Sequence, residues 1–337
     1  SFAPSSKIMS VVKADAYGHD MELVATALNK SDGFAVASTE EGIRLRETGL
    51  NQLIVLLSDV LTNDELPVLT GYQLSPVIHS LSQVDLLEKY TGNQFINVWL
   101  KFDSGMHRLG LNNDEIKQAQ GRLQAQKNIC IAGVMTHLAS ADDPADDTTE
   151  NQLAEYKKLR IDLSEGESSI ANSAGIIGWS DSHADWVRPG IMLYGSSPMR
   201  LKSSADLDLK PVMFLESQLI AVSRRKAGER IGYGGDWLCE HDTTVGVVAA
   251  GYGDGYPRHA PPGTPIAVNG KRVPLIGRVS MDLITVDLGE QATARPGDPV
   301  ELWGKYVYVD EVALLSNTIA YELFCQVTRR VPRIAID

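Results

Sequence analysis

The sequence predicts a (β/α)8 TIM barrel followed by a mainly β C-terminal domain. Over the first two-thirds of the 337 residues, short apolar runs alternate strictly with amphipathic stretches. Near Lys210 that rhythm gives way to β-rich runs separated by Gly, Pro and Asn-Gly turns. The residues able to do chemistry also follow the carboxyl ends of the apolar runs, the face on which such barrels build their sites. A flavodoxin-like open sheet needs fewer strands, and nothing resembles its glycine-rich nucleotide turn. The domains are drawn at 1–209 and 210–337.

Taken in order, barrel strands are predicted at Ile8–Val12, Phe34–Ala37, Leu53–Leu57, Gln73–Ile78, Phe95–Phe102, Ile129–Met135, Ser168–Ala171 and Trp186–Leu193. Helical patterns lie between them at Met21–Asn29, Glu40–Thr48, Leu81–Tyr90, Asn113–Gln126 and Glu150–Leu163. Ser38 and Glu41 supply a capping box for the second helix. In the second domain, strands are expected at Val212–Val222, Thr244–Ala250, Pro265–Val268, Leu283–Val286, Val300–Trp303 and Val307–Val309. Asn269-Gly270 is a hairpin signal, and one helix, about Asp310 to Gln326, closes the chain.

A net charge of −12 argues against nucleic-acid or anionic-membrane partners. No apolar run approaches the roughly 20 residues of a membrane span. Cys130, Cys239 and Cys325 give neither a disulfide framework nor metal-ligand spacing, so no metal is expected and a cytoplasmic location is. The acidic stretch Asp142–Asp147 reads as a solvated loop.

Lys13 ends the first apolar run. A lysine at the mouth of a buried strand is poorly solvated, so its pKa should fall, and a partly neutral amine adds to aldehydes as a Schiff base. Standing alone, it reads first as a rim lysine closing a strand in water. Lys101, Asp103 and Arg108 follow strand five, His137 follows strand six, Asn172 and Ser173 follow strand seven, and Arg188 lies in strand eight. All can share one rim. Asn172-Ser173 and the backbone amides of Gly190 and Ile191 suit a phosphate, although each stretch alone is also an ordinary small-residue turn.

Val12-Lys13-Ala14-Asp15-Ala16-Tyr17-Gly18-His19 resembles the pyridoxal phosphate lysine motif of the alanine racemases. Later stretches resemble the same family in the same order, over nearly the whole chain. The resemblance implies pyridoxal 5'-phosphate as cofactor, alanine as substrate, and a segment with a further strand and helix ahead of Ser6. It places Tyr17, Asn172, Ser173, Gly190, Ile191 and Tyr321 around the phosphate. Arg188 faces the pyridine nitrogen, oriented by His137. An arginine there cannot give up a proton, so the ring nitrogen stays a neutral, poorer electron sink, which disfavours transamination. Decarboxylases on this barrel typically place a carboxylate there, so Arg188 argues for a racemase. Arg108, in Trp99-Leu100-Lys101-Phe102-Asp103-Ser104-Gly105-Met106-His107-Arg108, contacts the cofactor's phenolic oxygen and the substrate carboxylate. The family lysine matching Lys101 is often carbamylated; the residues alone also allow Lys101 to pair with Asp103.

Racemisation takes a proton from one face of Cα and delivers one to the other, and two bases on opposite faces do this directly. The resemblance assigns these to Lys13 and to Tyr252, in Gly251-Tyr252-Gly253-Asp254-Gly255-Tyr256. Bringing a free tyrosine from a pKa of about 10 to about 7 takes roughly 4 kcal/mol of electrostatic help. Gly277-Arg278-Val279-Ser280-Met281-Asp282 resembles the family loop that narrows the site. The resemblance implies that the Met281 amide meets the substrate carboxylate and that Asp282 holds the loop. Tyr233 belongs at the entrance. Tyr252, Met281 and Asp282 reach the partner's cofactor, which implies a head-to-tail homodimer with shared sites. Three positions depart from the family: Asp20 stands for the common Gly, His107 for Asn and Ser280 for Cys. A broad-specificity racemase, a decarboxylase on the same barrel and a non-enzymatic cofactor carrier are the rival readings.

Overall fold

The computed structural model describes residues 2–59, 61–163, 166–290 and 292–336. Two compact units are present, Ser1–Leu193 with Pro198–Leu201, and Tyr194–Ser197 with Lys202–Asp337.

The first unit is a closed parallel barrel of β1 (Lys7–Val11), β2 (Gly33–Val36), β3 (Leu53–Leu56), β4 (Leu74–Ile78), β5 (Ile96–Lys101), β6 (Ile129–Met135), β7 (Glu167–Ser169) and β8 (Trp186–Val187). β8 closes the ring on β1, with Lys7 opposite Trp186 and Ile8 opposite Val187. Closure therefore does not require the additional strand that the resemblance implied. Helices α1 (Met21–Ala27), α2 (Thr39–Glu47), α3 (Leu66–Gly71), α4 (Leu81–Leu87), α5 (Asn113–Gln124), α6 (Thr148–Asp162) and α7 (Ser173–Gly178) fill the connections. β2 and β4 are buried along their whole length, as strands with the core on one side and helices on the other must be.

Local chemistry starts the helices. Asp20 accepts the Glu22 and Leu23 amides at α1, Asn112 forms a full capping box with Glu115 at α5, and Asn172 accepts the Gly175 amide at α7. Only half of the expected box forms at α2. The Ser38 hydroxyl accepts the Glu41 amide, but the Glu41 carboxylate accepts the amides of Ala14 and Ala37 instead of that of Ser38. The last strand is shorter than expected, because Pro189 has no amide to donate and Ile191–Tyr194 turns into a 3-10 helix. α3 went unpredicted; it has only six residues, with Pro67 in its first turn.

At the amino end, Trp99 and Trp186 meet edge to face at 6.3 Å. Gly133 makes the room, since a Cβ there would sit 2.5 Å from the Trp99 ring and 2.3 Å from the Glu167 carbonyl. Glu167 accepts from Lys7 at 2.5 Å and from the Trp186 indole at 2.6 Å.

The second unit is a closed antiparallel barrel. Its strands are β9 (Leu215–Arg225), then, after the small ladder β10 (Arg230–Ile231) with β11 (Trp237–Leu238), β12 (Thr243–Val248), β13 (Pro265–Val268), β14 (Lys271–Ile276), β15 (Ile284–Asp287) and β16 (Pro299–Trp303). The hairpin expected at Asn269-Gly270 joins β13 to β14, with both turn residues at positive φ. β14 itself was missed because Pro274 interrupts its pattern. Val307–Val309 is not a strand: the carboxylate of buried Glu301 takes the Lys305, Tyr306 and Val307 amides, and the chain enters α8 (Val309–Leu315). The closing helix is likewise two, α8 and α9 (Ala320–Gln326), broken where Asn317 adopts φ 54°.

Arg46 ties the ends of α2 and α3 together. Its guanidinium donates to the carbonyls of Tyr72 (2.8 Å), Leu50 (2.6 Å), Gln52 (3.1 Å) and Gln73 (3.0 Å). Arg46→Ala leaves these partly buried carbonyls unmatched and should cost roughly 1–3 kcal/mol of stability. Urea unfolding measures this, and Arg46→Lys should recover only part, because an ammonium cannot span the fork.

Candidate active site

Lys13 emerges from β1 into a turn of unusual hand. Ala14, Asp15, Ala16 and Tyr17 all have φ between 53° and 54° with ψ of 40° to 50°, a left-handed helical turn built without glycine, and Gly18 continues it at φ 78°. Left-handed helical geometry costs L-residues roughly 1–2 kcal/mol each, so neighbours must hold it. Glu41 accepts the Ala14 amide at 2.7 Å, and Asp15 accepts from the Met21 amide and from Arg44. The turn leaves Lys13 at the carboxyl end of β1 and packs Tyr17 inward, 8% exposed.

Around that mouth the barrel gathers positive charge. Lys101 at the end of β5 is pushed down to about 8, by burial first and then by Arg188, Arg108 and Lys13, with Asp103 opposing. Burial, then Arg188, Lys101, Arg108 and Lys13, holds His137 well below its ordinary range. Arg188 follows β8 and is itself pushed down to about 10 by burial. Its guanidinium donates to the Ser169 hydroxyl (2.7 Å) and to the carbonyls of Thr136 (2.5 Å) and Ile170 (3.1 Å). Asp103 is committed to the Gly105 and His107 amides and the His107 ring, fixing the loop that leads to Arg108.

Beside this cluster lies a cradle. The Ser173 hydroxyl oxygen accepts the Gly190 amide at 2.8 Å and the Met192 amide at 3.4 Å. The Gly190 amide, expected from the sequence to suit a phosphate, is therefore engaged by Ser173 instead. A Cβ at Gly190 would come within 2.6 Å of the Tyr17 hydroxyl, so any larger residue would push that hydroxyl aside. Ile191 is fully buried at the start of the 3-10 turn. The Asn172 side chain serves as the α7 cap and reaches the Leu138 carbonyl at 3.3 Å, so it braces the cradle. Small backbone, a serine hydroxyl and crowded cations fit an anionic, phosphate-bearing cofactor.

Sequence reasoning missed Gln152. It is 1% exposed on α6, accepts the Ala139 amide at 2.8 Å and donates to the His137 carbonyl (2.9 Å) and the Ser104 hydroxyl (3.2 Å). One amide thus staples the His137 loop to the Arg108 loop. Its signal was a polar residue between Thr149, Leu153 and Tyr156 on a buried helix face. Glu41 was seen only as a cap.

In the second unit, Tyr252 opens a 3-10 turn (Tyr252–Asp254) and Met281 lies on the loop after β14; both side chains are substantially exposed. The Tyr252 amide donates to the Ser280 carbonyl (3.0 Å) and the Gly253 amide to the Met281 carbonyl (2.8 Å). Asp282 pairs with Arg330 at 2.8 Å. Tyr233 is exposed in a turn after β10 that lies against Gly277 and Arg278, and Tyr321 is half-buried in the first turn of α9.

Comparison with known proteins now decides the family. The family model described as alanine racemase, N-terminal domain, matches residues 1–198, and that described as alanine racemase, C-terminal domain, matches residues 212–335. The chain belongs to the alanine racemase family. It is 47% identical to the alanine racemase of Shewanella amazonensis over 99% of this chain and 93% of that one. With the alanine racemase of Aeromonas hydrophila it shares 48% identity over 98% and 92%. Its fold superposes on the biosynthetic alanine racemase of Pseudomonas aeruginosa with a TM-score of 0.94, at 43% identity over 98% of this chain and 92% of that one. The barrel with its mainly β second domain is therefore the alanine racemase architecture. Two departures from the family pattern now have a physical reading: Asp20 has φ 73° and His107 has φ 54°. Gly and Asn are residues that left-handed backbone favours. Here Asp20 offsets its strain by capping α1, and His107 by its bonds to Asp103.

Ala14 is exposed, so replacing it tests the left-handed turn without disturbing the core. Ala14→Val should lose roughly 1–2 kcal/mol in denaturant titrations, while Ala14→Gly should be neutral or slightly stabilising. Lys101 supplies a pH test. Its charge penalises folding below pH 8, and the penalty fades between the folded value of about 8 and the ordinary 10.5. With carbon dioxide excluded, the cofactor-free protein should gain stability relative to Lys101→Met as pH rises through that window. A constant difference would contradict the burial of the amine.

Proposed function

We propose that this protein interconverts L-alanine and D-alanine with pyridoxal 5'-phosphate, using one base on each face of the substrate's Cα. The observation that carries this reading is the convergence of Lys13, Lys101, Arg108, His137 and Arg188 at the carboxyl ends of barrel strands, beside the Ser173–Gly190 cradle. Pyridoxal phosphate, when bound, supplies an aldehyde that captures an amine and a ring that acidifies the substrate's Cα–H bond.

The protein's own residues do the rest. The Ser173 hydroxyl, the Ile191 amide and the hydroxyls of Tyr17 and Tyr321 would hold the phosphate, with Gly190 leaving room beside the Tyr17 hydroxyl and Asn172 bracing the cradle. Lys13 holds the aldehyde carbon and, once displaced by substrate, moves a proton at Cα on one face. Tyr252 of the partner subunit moves the proton on the other face, so the active unit is a homodimer with shared sites. Arg108 fixes the substrate carboxylate with the Met281 amide, and Lys101, carbamylated, braces Arg108. Asp282 holds the Met281 loop, and Tyr233 lines the entrance. Arg188, anchored through Ser169, Thr136 and Ile170, would offer a remaining N–H to the ring nitrogen without being able to protonate it. A ring nitrogen left neutral would limit charge delocalisation and favour returning the proton to Cα over transamination, with His137 holding the arginine in place. Among the described residues no helix is long and apolar enough to cross a membrane. A cytoplasmic supply of D-alanine for peptidoglycan, or its catabolism, fits the reading.

Borohydride reduction and peptide mapping should label Lys13. Tyr252→Phe should keep the long-wavelength absorbance of the lysine-bound cofactor while racemisation falls by about 10²–10⁴-fold, the usual share of a general base. Label on another lysine, or undiminished racemisation, overturns the proposal.

A further inference from the structure

The turn that carries Tyr252 and the loop that carries Met281 are laid backbone against backbone. Besides the Tyr252–Ser280 and Gly253–Met281 hydrogen bonds, a Cβ at Gly251 would fall 2.3 Å from the Ser280 carbonyl and 2.4 Å from the Met281 carbonyl. Gly253 has no room either; its Cβ would meet the Arg330 guanidinium at 2.8 Å and the Met281 carbonyl at 2.9 Å. Arg330 lies across this contact. Its Nε donates to Asp254 at 2.7 Å, and its Nη1 pairs with Asp282 at 2.8 Å. Asp254 also accepts the Gly251 amide at 2.8 Å, on the other side of Tyr252. Thr328, two residues before Arg330, adds a hydroxyl bond to the Gly253 carbonyl (2.9 Å) and an amide bond to the Asp254 carbonyl (3.0 Å).

We infer that Arg330 is a positioning residue: it clamps the Tyr252 turn to the Met281 loop through Asp254 and Asp282, fixing where the phenol and the loop amide stand relative to each other. The functional half of this inference rests on the role proposed above for Tyr252. A guanidinium suits the task because its fork addresses two carboxylates on two segments at once, which one ammonium does poorly. The guanidinium is half exposed, and ion pairs of that kind add little to global stability. The clamp sets geometry, and geometry is what a proton transfer between fixed groups depends on.

The test uses the cofactor-loaded enzyme and three variants. Arg330→Ala should speed hydrogen–deuterium exchange at the Tyr252 and Gly253 amides at least tenfold while leaving the exchange of β12 and β15 unchanged. It should lower kcat by about 10- to 100-fold, the scale of an ångström's misplacement. The primary isotope effect with Cα-deuterated substrate should rise for one enantiomer of alanine and not for the other, because a single base is disturbed. A loss of structure alone would slow both directions alike. Arg330→Lys, which keeps the charge and safeguards the fold, should fall between the wild type and Arg330→Ala. Unchanged exchange at Tyr252 and Gly253 overturns the clamp. So do wild-type kinetics and isotope effects in Arg330→Ala when Tyr252→Phe has abolished racemisation. Racemisation that survives Tyr252→Phe instead strikes at the proposed function, and the clamp then stands or falls on the exchange data.

Discussion

Five basic side chains brought to one end of a closed barrel set the terms for everything built around them. Burial and the neighbouring Arg188, Arg108 and Lys13 make the charged forms of Lys101 and His137 costly. The barrel offers two remedies. Carbonyls at the ends of parallel strands have no further strand residue to receive, so those after β6 and β7 are available to solvate the Arg188 guanidinium. Lys101 and His137 are pushed toward the other remedy, the neutral form. A neutral lysine is a nucleophile, and a neutral imidazole can accept as well as donate. Crowding of this kind is unfavourable for folding, and a multiply charged phosphate ester would relieve it.

The same region carries the strained backbone. Alanine favours right-handed helix more than any other residue, yet Ala14 and Ala16 are held left-handed next to Lys13. Local preference has been overruled by tertiary contacts, chiefly the Glu41 carboxylate reaching back from α2. Gln152 plays the equivalent part from α6 for the loops of Arg108 and His137. Helix residues thereby fix strand-end loops that have little means of fixing themselves. At the opposite end, tryptophan packing and the Lys7–Glu167 pair give cohesion and offer no comparable cluster of basic groups.

How far the sequence discloses this follows from the range of each interaction. Alternation of apolar and amphipathic runs is local, so eight strands and most of their helices could be read directly. So could the strand ends that deliver Lys13, Lys101, Arg108, His137 and Arg188. Elements that break the local rules escaped: α3 and β14 each contain a proline, and the break at Asn317 depends on a single left-handed residue. The braces were illegible for a different reason. Glu41 bonds a residue 27 positions away, Gln152 one 48 away and Arg330 one 76 away, and nothing around them marks those partners. The left-handed turn was hidden most completely, because Lys-Ala-Asp-Ala-Tyr reads as ordinary helix.

The second unit presents a contrasting economy. Tyr252 and Met281 are large, and 40% and 54% exposed, yet they stand on turns whose backbones are joined so closely that glycine is required at 251 and 253. Exposed side chains usually sit on backbone free to adjust; here the backbone is fixed and only the side chains meet solvent. Groups held this way lose little further freedom when another surface closes over them, and ordering costs of that kind weigh directly on association. In the homodimer proposed above, the tyrosine would reach the opposing barrel already placed. The rigidity invested in the Arg330 contact then serves assembly and proton transfer together, since both require the same atoms to be in the same place.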